Sequence, residues 1–292
     1  MKEMDEKLIR VFKELSTSIL EKQLNKEVFL WLKSHSTGSG DLKFNMAFAS
    51  ISRKTGKKEL DSSLPEVIKV EELLPGFSIR GWSVDRLGRV WLLMQIDVSD
   101  RDRYINKIND LFRFGEMNEL AALYSALPFF AYPEEWIFRC SEGVRNNIGV
   151  VQEAVMYHNP YPAKYLDESA WNQLIMKAFF GDKDVRLITG LDKRSNKNLA
   201  KIIIDYIDER WAAHRTANPQ LWRLIAKFID ASNFSMIEKL MSDEDSINQK
   251  AGALACFNSS YEPAKKLLHQ YPELEREIEN NQLDWNRLSA LS

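Results

Sequence analysis

The segment from Pro133 to Tyr157, PEEWIFRCSEGVRNNIGVVQEAVMY, constrains the fold most, because its apolar residues recur at helical spacing. When each residue advances about 100° around a helix axis, six apolar side chains fall within an arc of roughly 80°. They are Ile137, Cys140, Val144, Ile148, Val151 and Val155. Polar side chains lie almost opposite, namely Glu135, Arg139, Glu142, Asn146 and Glu153. The pattern predicts one continuous helix with a buried face and a solvated face.

Helical periodicity extends along most of the chain. It is clear in KLIRVFKELSTSIL, GWSVDRLGRVWLLMQ, DESAWNQLIMKAFF and NLAKIIIDYIDERWAAHR. The chain has only 12 glycines, and no alternating apolar run leads into an Asn-Gly or Asp-Gly hairpin turn. We therefore predict an all-α fold, an irregular right-handed α-α superhelix of antiparallel helix pairs, with HEAT-like short helices toward the C-terminus.

The domain organisation follows from the lack of a long linker rich in glycine or serine. We predict a single all-α domain over residues 1–292. Within it we expect an N-terminal helical subregion over 1–80, a core over 81–215 and a HEAT-like part over 216–292. Helix bounds within 36–80 and 232–292 do not follow from the pattern.

Composition disfavours several classes of protein. The chain has 40 basic and 42 acidic side chains and a net charge of -2, so it offers no field to attract nucleic acid. No run approaches the roughly 18 apolar residues of a membrane span, and MKEMDEKLIRVF lacks the apolar core of a secretory signal. The only cysteines are Cys140 and Cys256, which suit a reducing compartment. We expect a cytoplasmic protein without direct membrane insertion.

Familiar catalytic and cofactor patterns are missing from the sequence. The four histidines include no pair spaced to share one helical face, which disfavours a metal centre. Glycine-rich phosphate loops, a nucleophile elbow and a Cys-x-x-Cys pair do not occur. We therefore predict no cofactor, no metal and no catalytic residue.

The stretch HNPYPAKYLDESAWN, from His158 to Asn172, admits two interpretations. The dipeptides Asn159-Pro160 and Tyr161-Pro162 predict a stiff loop with extended backbone before each proline. In the first interpretation its polar side chains meet a ligand. In the second they satisfy backbone groups between two helices, with Asp167 capping the second helix.

The polar face of the helix over 133–157 also has two interpretations. Arg139 lies three residues before Glu142, a spacing suited to an ion pair on a solvated surface. Alternatively, Arg139 and Arg145 bind an anionic substrate while a buried Glu142 moves a proton.

Several segments resemble the EboA family, in unbroken order from Trp82 to about Arg215. They are WSVDRLGRVWLLMQ, LFRFGEMNELAALYSALPFFAYPEEW, EGVRNNIGVVQEAV, NPYPAKYLDESAWNQLIMKAFF, GLDKRSN and DYIDERWAAHR. The resemblance implies a role in metabolite traffic, beside a bacterial gene set with a prenyltransferase-like membrane protein and small-molecule-processing enzymes. It supplies no catalytic residues to transfer.

These observations favour a non-catalytic cytoplasmic binding or adaptor protein for a secondary-metabolite precursor. The alternative is an enzyme acting on an aromatic or isoprenoid-derived metabolite, and a third is a structural assembly protein. Expected partners are a small-molecule metabolite and pathway enzymes or the prenyltransferase-like membrane protein. The predicted ligand-binding residues are Arg139, Glu142, Arg145, Asn146, Asn159, Tyr161, Trp171 and Asn172.

Overall fold

A computed structural model describes residues 2–36 and 40–289. The chain folds as two compact units, Met1–Lys183 with Leu187–Thr189, and Asp184–Arg186 with Gly190–Ser292. Within the described ranges the regular structure is helical, apart from two isolated bridges that pair Glu59 with Ser83 and Tyr157 with Ile188. The all-α prediction is confirmed. The superhelix, the HEAT-like part and the single domain with its three subregions stay predictions.

The first unit contains 11 α-helices among its described residues. They are α1 (Lys2–Gln23), α2 (Lys26–Ser34), α3 (Gly40–Thr55), α4 (Pro65–Leu73), α5 (Val84–Leu93), α6 (Arg101–Phe114), α7 (Met117–Ser125), α8 (Ile137–Arg145), α9 (Gly149–Met156), α10 (Pro160–Tyr165) and α11 (Glu168–Phe180). Short 3₁₀ helices span Leu127–Phe129 and Pro133–Trp136.

Helix α5 is the centre of the first unit. It packs against α1, α3 and α7, and α7 in turn packs against α9. Nine of its ten residues are buried, and the exception is Arg86. Because α1, α3 and α7 flank α5, most of its side chains are removed from water. The charged side chains of Asp85 and Arg89 are therefore buried in the protein interior.

The prediction of one continuous helix over 133–157 is wrong, because the helix is interrupted at Asn146. Helix α8 ends at Arg145, and Asn146 has extended backbone with ψ 147°. Its side-chain Oδ1 accepts a hydrogen bond from the Ile148 backbone N–H at 2.8 Å, a local bond that competes with helix continuation. Helix α9 then packs back on α8, and Ile148 stays 38% exposed although its spacing predicts burial.

Gly143 permits this close return of the chain. A Cβ atom built on Gly143 would lie 2.5 Å from Val155 Cγ2 and 2.6 Å from Tyr124 Cε1. Neither neighbour is the free end of a long flexible side chain, so α7, α8 and α9 meet at a point where only a hydrogen atom fits.

The stretch between α9 and α11 differs from the prediction at one proline. Asn159 is extended, as predicted, and its side chain caps α10 by accepting a bond from the Tyr161 N–H at 3.0 Å. Tyr161, however, lies inside α10, because Pro160 and Pro162 both fall in the first turn, where backbone N–H groups need no helical acceptor. Asp167 caps α11 as predicted, accepting from the Ala170 N–H at 2.7 Å.

The second unit is built around one helix of small residues. Its helices are α12 (Lys197–Ala212), α13 (Leu221–Ile225), α14 (Phe234–Met241), α15 (Ser246–Asn258), α16 (Glu262–Leu268), α17 (Pro272–Glu279) and α18 (Trp285–Leu288). Helix α15 packs against α13, α14, α16, α17 and α18. Its buried run from Ala251 to Cys256 lets those neighbours approach closely.

Candidate functional site

The predicted polar face of α8 is engaged with α6. Arg139 donates from Nε to Asn109 Oδ1 at 2.9 Å and from Nη1 to Glu142 Oε2 at 2.7 Å. Its guanidinium carbon lies 5.3 Å from the centroid of the Phe112 ring. Arg145 is exposed at the end of α8, and Asn146 forms the break after it. The contacts of Arg139 fix α8 on α6 and occupy both edges of the guanidinium.

The predicted polar groups of the proline-rich stretch point into the protein interior. Asn159 is buried and donates from Nδ2 to the carbonyl oxygens of Tyr124 and Ala154, both at 3.0 Å. The Tyr161 hydroxyl donates to the Pro133 carbonyl oxygen, and burial raises its pKa above the ordinary range. These bonds match the interpretation in which the stretch satisfies backbone groups between helices.

Trp171 and Asn172 are both buried on α11. The structure therefore brings Arg139 together with Glu142, and Asn159 together with Tyr161. Described contacts do not join these two pairs into one cluster. The ligand-binding role of the eight residues stays a prediction.

A cavity of about 290 Å³ lies elsewhere in the first unit, at the start of α3 and of α6. Lys107 Nζ lies 2.8 Å from Asp41 Oδ1 and 4.1 Å from the centroid of the Phe44 ring. The hydrogen bond from Lys107, together with its charge, lowers the pKa of Asp41. The charges of Asp41 and Lys107 are thus already paired with each other.

Two arginines on α5 show a different balance of charge. Arg89 is buried, donates from Nη1 to Asp85 Oδ2 at 2.7 Å and from Nε to the Phe48 carbonyl oxygen at 3.1 Å. Asp85 also accepts a hydrogen bond from the Ser83 hydroxyl at 2.5 Å. The one carboxylate on α5 is therefore committed to Arg89.

Arg86 has no such carboxylate. It donates from Nε and Nη2 to the Ser125 hydroxyl oxygen at 2.8 and 2.5 Å, and its guanidinium carbon lies 4.5 Å from the centroid of the Trp82 ring. Loss of hydration by burial lowers the pKa of Arg86 to about 10, against the opposing charges of Glu153 and Asp85. The first turn of a helix is also where the helix dipole disfavours a cation.

The neighbouring charges leave this place with a positive excess. Glu153 on α9 pairs through Oε1 with Lys183 Nζ at 2.6 Å, and only 14% of the Lys183 side chain is exposed. With Asp85 bonded to Arg89, Glu153 is the other carboxylate whose charge acts on Arg86, and it is already bonded to Lys183. An arginine held beside a shortage of negative charge is suited to binding an anion. We call Arg86, Trp82, Ser125, Glu153 and Lys183 the Arg86 site.

Comparison with models of protein families assigns the chain to a family. A sequence model described as metabolite traffic protein EboA matches residues 12–226. The chain belongs to the EboA family. Comparison with curated proteins gave no match, and comparison with solved structures gave none either.

All residues of the Arg86 site lie within the EboA match, and so do the eight residues predicted from the sequence. Among residues 2–36 and 40–289, no group of three or more histidine, cysteine, aspartate or glutamate side chains is placed to hold a metal ion. Over the same residues, no helix has the length and apolar character needed to cross a membrane.

Sequence reasoning missed Arg86, although a signal for it exists. The segment Asp85-Arg86-Leu87-Gly88-Arg89 offers one carboxylate for two arginines on a helix that is otherwise apolar. The spacing of four residues pairs Asp85 with Arg89, whereas adjacent residues on a helix do not face each other. Arg86 is thus the cation left without a carboxylate of its own helix.

Proposed function

We propose that this EboA-family protein is a non-catalytic binding protein for a small metabolite, and that the metabolite occupies the Arg86 site. The observation that carries the proposal is the guanidinium of Arg86, which is half-buried and, among the residues that the structure describes, bonds to the neutral hydroxyl of Ser125 and to no carboxylate. A half-buried cation that bonds to no carboxylate is poorly compensated for its lost hydration, and an anionic ligand would supply that compensation. The description of the family as metabolite traffic proteins supports the same class of function.

The chemistry of the site supports binding over reaction. Arginine with a pKa of about 10 stays protonated near neutral pH, so it attracts charge and does not exchange a proton. The two cysteine thiols are buried away from solvent, and burial raises the pKa of Cys256 to about 12 and that of Cys140 further. Thiols that stay protonated are poor nucleophiles.

The enzyme alternative depends on Glu142 as a buried acid or base. The Glu142 carboxylate is ion-paired with Arg139, and 36% of its side chain is exposed. Arg139 is in turn bonded to Asn109. These contacts give the pair a role in holding α8 on α6, and no observation in the structure favours the enzyme over the binding protein.

Native mass spectrometry of protein purified from its own host tests the proposal. We expect a fraction of the protein to carry a retained small molecule, and we expect Arg86→Gln to lose it. The matched control is Arg113→Gln, which removes one positive charge from an exposed position on α6. Wild-type protein that emerges at its bare mass, with no metabolite-dependent rise in melting temperature, would rule the proposal out.

The adaptor function and the predicted partners belong to the same proposal as a second step. If the protein presents its metabolite to a pathway enzyme or to the prenyltransferase-like membrane protein, affinity purification from the host should recover that partner. We expect recovery to depend on loaded protein, so Arg86→Gln should reduce it while Arg113→Gln leaves it unchanged.

A further inference from the structure

We infer that the end of the Arg86 guanidinium binds an oxyanion of the ligand, a carboxylate or a phosphate, and that Lys183 is the second cation of this subsite. The inference rests on the proposed function, and it adds the chemical class of the ligand. Its evidence is the number of N–H groups that Arg86 has left after its bonds within the protein.

A guanidinium has two edges that can each grip a pair of oxygen atoms. One edge carries Nε and one N–H of Nη2, and both donate to Ser125 Oγ. The other edge carries Nη1 and the second N–H of Nη2. In the part of the chain that the structure describes, no side chain or carbonyl accepts a bond from Nη1. The free edge has the fork geometry that matches two oxygens of one oxyanion.

Ser125 and Trp82 hold that free edge in a fixed direction. The Ser125 hydroxyl donates its own hydrogen to the Ala121 carbonyl oxygen at 2.5 Å, so its oxygen faces Arg86 as an acceptor. The Trp82 ring covers one face of the guanidinium and is itself buried. A binding group that is already oriented loses little entropy when a ligand arrives, which favours tight binding by a small group.

The charges around the site select a negative ligand. Asp85 is bonded to Arg89 and Ser83, and Glu153 is bonded to Lys183. Glu153 acts on Arg86 through its charge without bonding to it. A ligand oxyanion would supply the missing negative charge beside a half-buried guanidinium, where an ionic hydrogen bond is stronger than in open water.

A titration of the full-length protein with simple anions tests the inference. The probes are sodium phosphate, sodium pyrophosphate and sodium acetate, each against sodium chloride at matched ionic strength, with melting temperature and calorimetry as readouts. We expect at least one oxyanion to saturate the wild-type protein and raise its melting temperature. Phosphates and acetate form separate arms, so the result also distinguishes a phosphate ligand from a carboxylate ligand.

Variants at Arg86 and Lys183 locate the binding. Arg86→Gln should weaken the preferred oxyanion about 10- to 100-fold, the value of one charge-assisted bond set. Arg86→Lys keeps the charge but loses the fork, so we expect an intermediate loss. Lys183→Met should weaken binding by a smaller factor, and Arg113→Gln should leave it unchanged. Near-UV circular dichroism checks that each variant is folded.

Two results would overturn the inference. One is a wild-type protein that treats all three oxyanions as it treats chloride, and the other is an Arg86→Gln protein that binds them with wild-type affinity. Native mass spectrometry separates this failure from that of the proposed function. A retained metabolite without carboxylate or phosphate would contradict the oxyanion alone, whereas a bare wild-type protein would contradict both.

Discussion

Arg89 and Arg86 lie one turn apart on the same buried helix, yet the protein treats their charges in opposite ways. Arg89 has a carboxylate, a carbonyl oxygen and almost no exposure. Arg86 has one serine hydroxyl and an aromatic ring. The two side chains also differ in exposure, since Arg89 is buried and Arg86 is half-buried. The proposed binding role of Arg86 rests on the lack of a carboxylate bonded to it.

We expect the largest change in stability from removing Arg89, the arginine that forms an ion pair. Arg89→Met leaves Asp85 as a buried charge that, among the described side chains, keeps only its bond from Ser83, so we expect the unfolding free energy to fall by about 3–5 kcal/mol. Urea unfolding followed by far-UV circular dichroism measures the change. Adding Asp85→Leu should recover much of it, because the pair is then replaced by apolar contacts; a double variant no more stable than Arg89→Met would contradict this explanation.

Removing Arg86, which forms no such pair, should change the stability in the opposite direction. Arg86→Met removes a half-buried cation that makes no ion pair within the described residues, so we expect the ligand-free protein to gain about 0.5–2 kcal/mol of stability. The same urea titration measures it, on protein freed of ligand by unfolding and refolding. A loss as large as that of Arg89→Met would mean that both arginines are structural.

The hydrogen bonds from Arg86 to Ser125 allow a double-mutant cycle between the two side chains. Ser125→Ala leaves Nε and Nη2 without an acceptor, and this cost should largely vanish when Arg86 is already methionine. We expect a coupling free energy of about 1 kcal/mol, measured from four unfolding curves. Additive effects would show that Ser125 does not hold the guanidinium.

We expect the smallest change in stability from an ion pair nearer the surface, in which a cation has its own carboxylate partner, as Arg89 has. Lys22 Nζ lies 2.5 Å from Glu66 Oε1, between α1 and α4, and its bond lowers the pKa of Glu66 to about 2. A carboxyl whose pKa is lowered on folding contributes stability above its ordinary pKa of about 4.5, and loses it as pH falls through about 2.

Melting temperatures of the wild type and Glu66→Gln measure this contribution. We expect the wild type to be the more stable protein at pH 7 and the difference to shrink between pH 4.5 and pH 2. Lys22→Met should show the same pH dependence, since it removes the cation that lowers the pKa. A difference that is constant with pH would remove the pair as its cause.

Much of the fold follows from the sequence, because helical periodicity is a local property that side-chain spacing records. The Asp167 cap of α11 is also a local feature of the sequence, and it is present as predicted. The break at Asn146 was not, because Val144 and Val151 are seven residues apart and keep the same phase on either side of it. Periodicity cannot detect a break that preserves its phase.

The candidate site was harder to predict, because it depends on which charges meet across helices. The sequence shows that Asp85 is spaced to pair with Arg89, but it does not show that Ser125 and Trp82 enclose Arg86. It also does not show that Glu153 pairs with Lys183, 30 residues further along the chain. Conversely, the tyrosine and asparagine that attract attention at the proline-rich stretch are occupied with carbonyl oxygens.

The contacts of Gly143 restrict how the corner formed by α7, α8 and α9 can vary among relatives. Any side chain at position 143 meets Val155 and Tyr124, so alanine or serine there requires a smaller residue at one of the other two positions. Relatives that keep the corner should therefore keep glycine or change these positions in concert. If related sequences carry larger residues at position 143 while positions 124 and 155 stay large, the chain must follow a different course between α8 and α9 in those relatives.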